Sequence, residues 1–215
     1  MPTRTKYTNE LNDLVDQVRL MSTRLEDTLD KVIENLKDKN EILAKTIVKN
    51  DDEFDRAEHD IEEKCLKLTL TQQPVATDWR EIAGILKMVS DLERIADHCA
   101  DISKYTAALA DKESVEIPDY FKDMVNVMRD MVRDAISCFD KFDAELAEKV
   151  MRTDDVIDSY FARFRTDIES SIETNPKAAE QYVDYLMIAK YVERIADHST
   201  NIAEWVLFIV KNELK

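Results

Sequence analysis

The hexapeptide ERIADH stands at Glu93–His98 and again, letter for letter, at Glu193–His198. Ile102 and Ile202 keep the same offset, which marks a tandem duplication: whatever one half folds into, the other must be able to adopt as well. Upstream the register shifts by three residues. Met21, Leu25, Leu29, Ile33 and Leu36 correspond to Met124, Met128, Val132, Ile136 and Phe139, and Leu43-Ala44 corresponds to Leu146-Ala147. A length difference in the loop between the second and third segments of the repeat accounts for the shift. Two copies are too few for a stacked solenoid, which needs about three units to bury its faces. The chain therefore reads as two copies of one module.

The module is helical. Leu11, Leu14, Val18, Met21, Leu25, Leu29, Val32 and Leu36 follow one another by steps of three and four, the spacing of a single helix face. Gly84 is the only glycine and the prolines are Pro2, Pro74, Pro118 and Pro176, where average usage would give roughly fifteen and ten. A sheet protein needs more turn residues than that. The spacing predicts six helices at about 5–39, 40–71, 78–109, 119–141, 143–173 and 177–213, broken near the internal prolines. The fold class is all-α, two tandem three-helix bundles over 1–112 and 113–215, joined through the polar stretch DKESVEIPD.

Charge and cysteine usage narrow the setting. With 46 acidic against 30 basic residues the net charge is -16, which repels nucleic acid and anionic lipid and favours cations or basic protein surfaces as partners. Cys65, Cys99 and Cys138 are odd in number, widely spaced and without a CxxC pair, so neither a disulfide framework nor a zinc ribbon is expected. No apolar stretch approaches the ~20 residues of a membrane span, and the N-terminus lacks a signal-peptide core. The expected location is the cytoplasm.

Four pairs of carboxylates sit one helical turn apart: Asp51 and Asp55, Glu93 and Asp97, Asp154 and Asp158, Glu193 and Asp197. On an acid-rich chain any one such pair is ordinarily a solvated face. Their heights argue for more. A hairpin folded about Pro74 brings Asp51 level with Asp97 and Asp55 level with Glu93, and one folded at Asn175–Pro176 does the same for Asp154 with Asp197 and Asp158 with Glu193. Four carboxylates within one turn on neighbouring helices must hold protons or recruit a cation. Oxygen-only ligands suit magnesium, manganese, calcium or ferric iron. Asp101 extends the first series by another turn, whereas its counterpart is Asn201. Ala96, Ala100, Ala196 and Thr200 leave room for hydrated ions. Arg94 and Arg194 adjoin the acids as salt-bridge partners or partner contacts. His98 and His198 point about 100° away from Asp97 and Asp197, which suits support rather than ligation.

An enzyme is the weaker reading. Di-metal carboxylate enzymes use Glu-x-x-His, but Ala96 and Ala196 stand three residues after Glu93 and Glu193. One glycine excludes a phosphate-binding P-loop, and no nucleophile motif is present. A metal-free helical adaptor is the other alternative.

The repeated ERIADH, the QQPVATDWR stretch at 72–80 and the helical duplication together closely resemble the PhoU family over essentially the whole chain. The resemblance implies a cytoplasmic, non-enzymatic negative regulator of the phosphate-starvation response. Such a regulator couples the ATPase subunit of a phosphate ABC transporter to a sensor histidine kinase and reaches the membrane only through these partners. It also implies a homodimer and iron or zinc bound through E/D-x-x-x-D motifs, which fall here on the acids just named. The second half departs from the pattern: Ala178-Ala179-Glu180 stands where the first half has Asp78-Trp79-Arg80.

Overall fold

The computed structural model describes residues 2–72 and 74–211, and among these there is no strand. Helices α1 (Pro2–Asp38), α2 (Glu41–Asn50), α3 (Asp52–Gln72) and α4 (Ala76–Ala108) form the first half; α5 (Tyr120–Lys141), α6 (Ala144–Thr174) and α7 (Ala179–Lys211) form the second. A single 3-10 turn, Pro176–Ala178, leads into α7. Residues 212 and 213, expected to be helical, lie outside the described residues.

One expected helix is two. The segment predicted over 40–71 breaks at Asp51, where the Phe54 N–H donates to the Asp51 carbonyl at 2.8 Å, one residue short of helical register. The short polar side chains Asn50, Asp51 and Asp52 offer the backbone competing partners, which weakens a helix interior. The carboxylates of Asp52, Glu53 and Asp55 then fill the first turn of α3, where the helix dipole favours them. The matching stretch of α6 has Thr153 in place of Asn50 and runs unbroken.

The duplication survives down to single turns. Lys39 and Phe142, equivalent by the upstream offset, are both left-handed, with φ 49° and 50°. The next residues, Asn40 and Asp143, cap α2 and α6 by accepting from the two amides that follow at 2.9–3.1 Å. Those caps supply acceptors for otherwise orphaned first-turn amides.

Helices α4 and α7 sit at the centre and pack on each other. In α4, Ile85, Met88, Val89, Leu92, Ile95, Ala96, Cys99 and Ile102 are all buried, too wide an arc for a surface helix. Gly84 meets Ile209, His98 meets His198 at 5.4 Å between ring centres, and Tyr105 meets Tyr191. Numbers rise along α4 as they fall along α7, so the two run antiparallel. At Gly84 an added methyl group would come within 2.5 Å of the Ile209 side chain, which would have to shift to admit it. The halves touch again through α1 and α5, with Arg19 to Asp140 at 3.1 Å and Arg133 to Asp30 at 2.8 Å. None of the described helices is long and apolar enough to cross a membrane.

Candidate metal centre

The α3–α4 and α6–α7 hairpins each bring three carboxylates together. Asp55, Glu93 and Asp97 place ligand oxygens within 4.8 Å of one another in the first half, and Asp158, Glu193 and Asp197 do so in the second. The fourth acid of each set lies beside its triad. Asp51 is pushed up to about 6 by burial, then by the charges of Asp97 and Asp55. Asp154 is likewise raised to about 6 by burial, then by Asp197 and Asp158. The Thr200 hydroxyl stands beside Asp154 and opposes that rise, although the two fall short of a well-aligned hydrogen bond.

Electrostatic deficit is greatest at Glu93. Only 8% exposed, it is driven up to about 7 by burial, with Asp97 adding to the effect and Arg94 opposing it. Asp197 is raised chiefly by burial and then by Glu193, with Lys190 opposing. Carboxylates gathered closely enough to hold protons near neutrality fit a hard, multiply charged cation, and among the described residues neither triad has a nitrogen or sulfur ligand.

The flanking residues divide differently in the two halves. Arg94 donates to Asp97 at 2.7 Å and stands 3.4 Å from Glu93, whereas Arg194 makes no ion pair among the described residues. In the second half Lys190 takes the cation's place, bonded to Glu193. Asp101 is turned away from the first triad: Lys104 donates to it at 2.8 Å and His98 Nδ1 lies 3.8 Å off. Asn201 Nδ2 donates to Asp91 at 3.0 Å, and His198 Nδ1 lies 2.9 Å from the same carboxylate oxygen. His98 is pushed down to about 4, first by burial and then by His198, so it is neutral at physiological pH. Asp91 and Lys190 were absent from the sequence-derived set. Their counterparts are Tyr191 and Ser90, and comparing the copies for such mismatches would have exposed them.

An all-helical tandem repeat with an acidic triad in each copy is thus the class that fold and site define. Residues 18–106 and 121–206 each match the PhoU domain, and the chain belongs to the PhoU family. It is 30% identical over 209 residues to a phosphate-specific transport system accessory protein PhoU homolog from Clostridium acetobutylicum, covering 97% of this chain and 95% of that one. A homolog from Thermotoga maritima is 32% identical over 204 residues, covering 94% and 88%. The crystal structure of PhoU from Pseudomonas aeruginosa superposes with a TM-score of 0.93 at 28% identity, covering 96% of this chain and 100% of that chain. The phosphate transport system regulatory protein PhoU from Streptococcus pneumoniae gives 0.90 at 25% identity, covering 97% and 99%.

Proposed function

We propose that this protein is a cytoplasmic regulatory subunit of phosphate uptake that holds metal in each half and restrains the phosphate-starvation response. The observation that supports it most is the pair of acidic triads, one per copy, in a chain related over its whole length to accessory proteins of phosphate-specific transport. Asp55, Glu93 and Asp97 would hold one cation, with Asp51 in reach to join them, and Asp158, Glu193, Asp197 and Asp154 a second. Iron or zinc is expected from the resemblance, while magnesium and manganese fit the oxygen donors equally well. A bound cation cancels the repulsion between α3 and α4, or between α6 and α7, and so ties each hairpin closed. The chain's own residues set the competition: Arg94 in the first half and Lys190 in the second already partly neutralise the acids that a metal would take.

In this reading the closed helical surfaces are what the transporter ATPase and the sensor histidine kinase meet, and the protein works as a homodimer that touches the membrane only through them. Deleting the gene should switch phosphate-scavenging genes on in phosphate-rich medium, and a chain carrying Glu93→Gln, Asp97→Asn, Glu193→Gln and Asp197→Asn should fail to restore repression. Unchanged expression after deletion would remove the regulatory assignment. Repression restored fully by the four-fold variant would separate regulation from metal.

A further inference from the structure

Where α4 crosses α7, between the two triads, an open cleft of about 630 Å³ is lined by Arg94, His98, Asp154, Arg194 and Thr200 among others. Six buried side-chain polar atoms among the described residues lack a hydrogen-bond partner, and three belong to residues on this cleft: His98 Nδ1, Asp154 Oδ1 and Thr200 Oγ1. His98 is only 7% exposed. A buried polar atom left unpaired costs roughly 1–3 kcal/mol; Thr200 and Asp154 stand close enough to serve each other in part, and with His98 they leave room for something that completes all three. Water could do so, but water gives no reason for the fourth feature. In a chain with 46 acidic residues, the Arg194 guanidinium on this cleft makes no ion pair among the described residues. Once metal neutralises Asp97 in the first half and Asp154 and Asp197 in the second, Arg94 and Arg194 are left as cationic donors on the cleft that suit an anion.

We infer that the seam cleft binds inorganic hydrogen phosphate, with Arg194 and Arg94 on its oxygens, Thr200 hydrogen-bonded beside them, and Asp154 accepting from its hydroxyl. The acceptor chooses among oxyanions. Sulfate at neutral pH carries no proton and would meet Asp154 oxygen against oxygen, and a fully ionised phosphate monoester has the same fault. Hydrogen phosphate has both the acceptors that arginine needs and the one donor that Asp154 needs. Asp197 also lines the cleft, and empty triads would repel an anion. Binding is therefore expected to be tighter in metal-loaded protein, and to that extent the inference rests on the metal reading.

The test is calorimetric titration of inorganic phosphate, sulfate and glycerol phosphate into the full chain, magnesium-loaded and chelator-treated, with metal content measured in parallel. The loaded protein should take up one phosphate per chain and bind sulfate and glycerol phosphate more weakly. Arg194→Gln, an exposed position, should weaken phosphate by about tenfold, and Asp154→Asn should narrow the preference for phosphate over sulfate. Equal affinity for phosphate and sulfate, or for phosphate and the monoester, would overturn the proposal. So would phosphate affinity unchanged by Arg194→Gln; if Asp158→Asn with Glu193→Gln then abolishes it, the anion sits on the metal rather than in the cleft. Arg194-dependent phosphate binding by a chain that holds no metal would instead sink the metal reading and leave this one standing.

Discussion

The two copies of ERIADH share every letter but not their chemistry. In the first half the glutamate is buried and Arg94 lies across the acids; in the second, Glu193 is half-buried, Lys190 neutralises it and Arg194 is left unpaired among the described residues. His98 is enclosed with an orphaned nitrogen, while His198 leans on Asp91 across the seam. None of these differences lies within the repeated hexapeptide. They come from its neighbours, Ser90 against Lys190, Asp91 against Tyr191 and Ala100 against Thr200, so duplication supplied two frames and substitution around them supplied two sites.

The sharpest way to break this comparison is to silence one copy at a time. Glu93→Gln with Asp97→Asn, and separately Glu193→Gln with Asp197→Asn, should each lower bound metal by about half, because ligands are lost from one triad only. Elemental analysis of protein purified without chelator reads this, and loss of all metal from either pair would mean one shared site. Next in size is the seam. Gly84→Ala drives a methyl group into Ile209, and overpacking of this kind costs about 1–3 kcal/mol, offset in part by the better helix propensity of alanine. Adding Ile209→Ala should recover part of that loss in denaturant unfolding. The counterpart of Gly84 is Asp184, which instead pairs with Lys112 at 3.1 Å, so no such clash guards the other end.

Two smaller effects refine the contrast. Glu93 titrates near 4.5 in an unfolded chain and at about 7 when folded. The folded state therefore keeps a proton that the unfolded chain gives up, and that contribution is whole below about pH 4.5 and lost as pH climbs through 7. Metal-free protein should lose stability across that window, and Glu93→Gln should flatten the dependence in thermal melts. Smallest is the arginine pair. Arg94 is more than half exposed, so Arg94→Ala should cost metal-free protein about 0.5–1 kcal/mol, whereas Arg194→Ala should change it by less than about 0.5 kcal/mol. Equal costs would erase the distinction drawn between the halves.

Much of this was legible from residue order. Helix-period stripes, scarce glycine and the internal prolines were enough to predict the long helices, because those signals are local and repeated over many turns. Levelling Asp55 with Glu93 and Asp158 with Glu193 across their hairpins also placed residues that the structure brings within reach, since an antiparallel pair fixes height by simple counting. Two things escaped that reasoning. The break at Asp51 falls among short polar residues, Asn50 to Asp52, which a stripe of apolar residues spanning it conceals. The seam escaped because it joins residues about a hundred positions apart: the mismatch of Asp91 with Tyr191 marks the position, but nothing near it announces that His198 and Asn201 will meet it.

The seam also says something about how such a chain came to be. His98 and His198 are the same position in the two copies, and they touch, which is what happens beside a two-fold axis. A lone ancestral module of three segments would have carried the central helix with its apolar flank uncovered, and the partner best shaped to cover it was another of itself. Fusion would then have converted an isologous dimer into a single polypeptide. Once the two sides no longer had to be identical, one could carry Lys190 and Thr200 while the other carries Ser90 and Ala100.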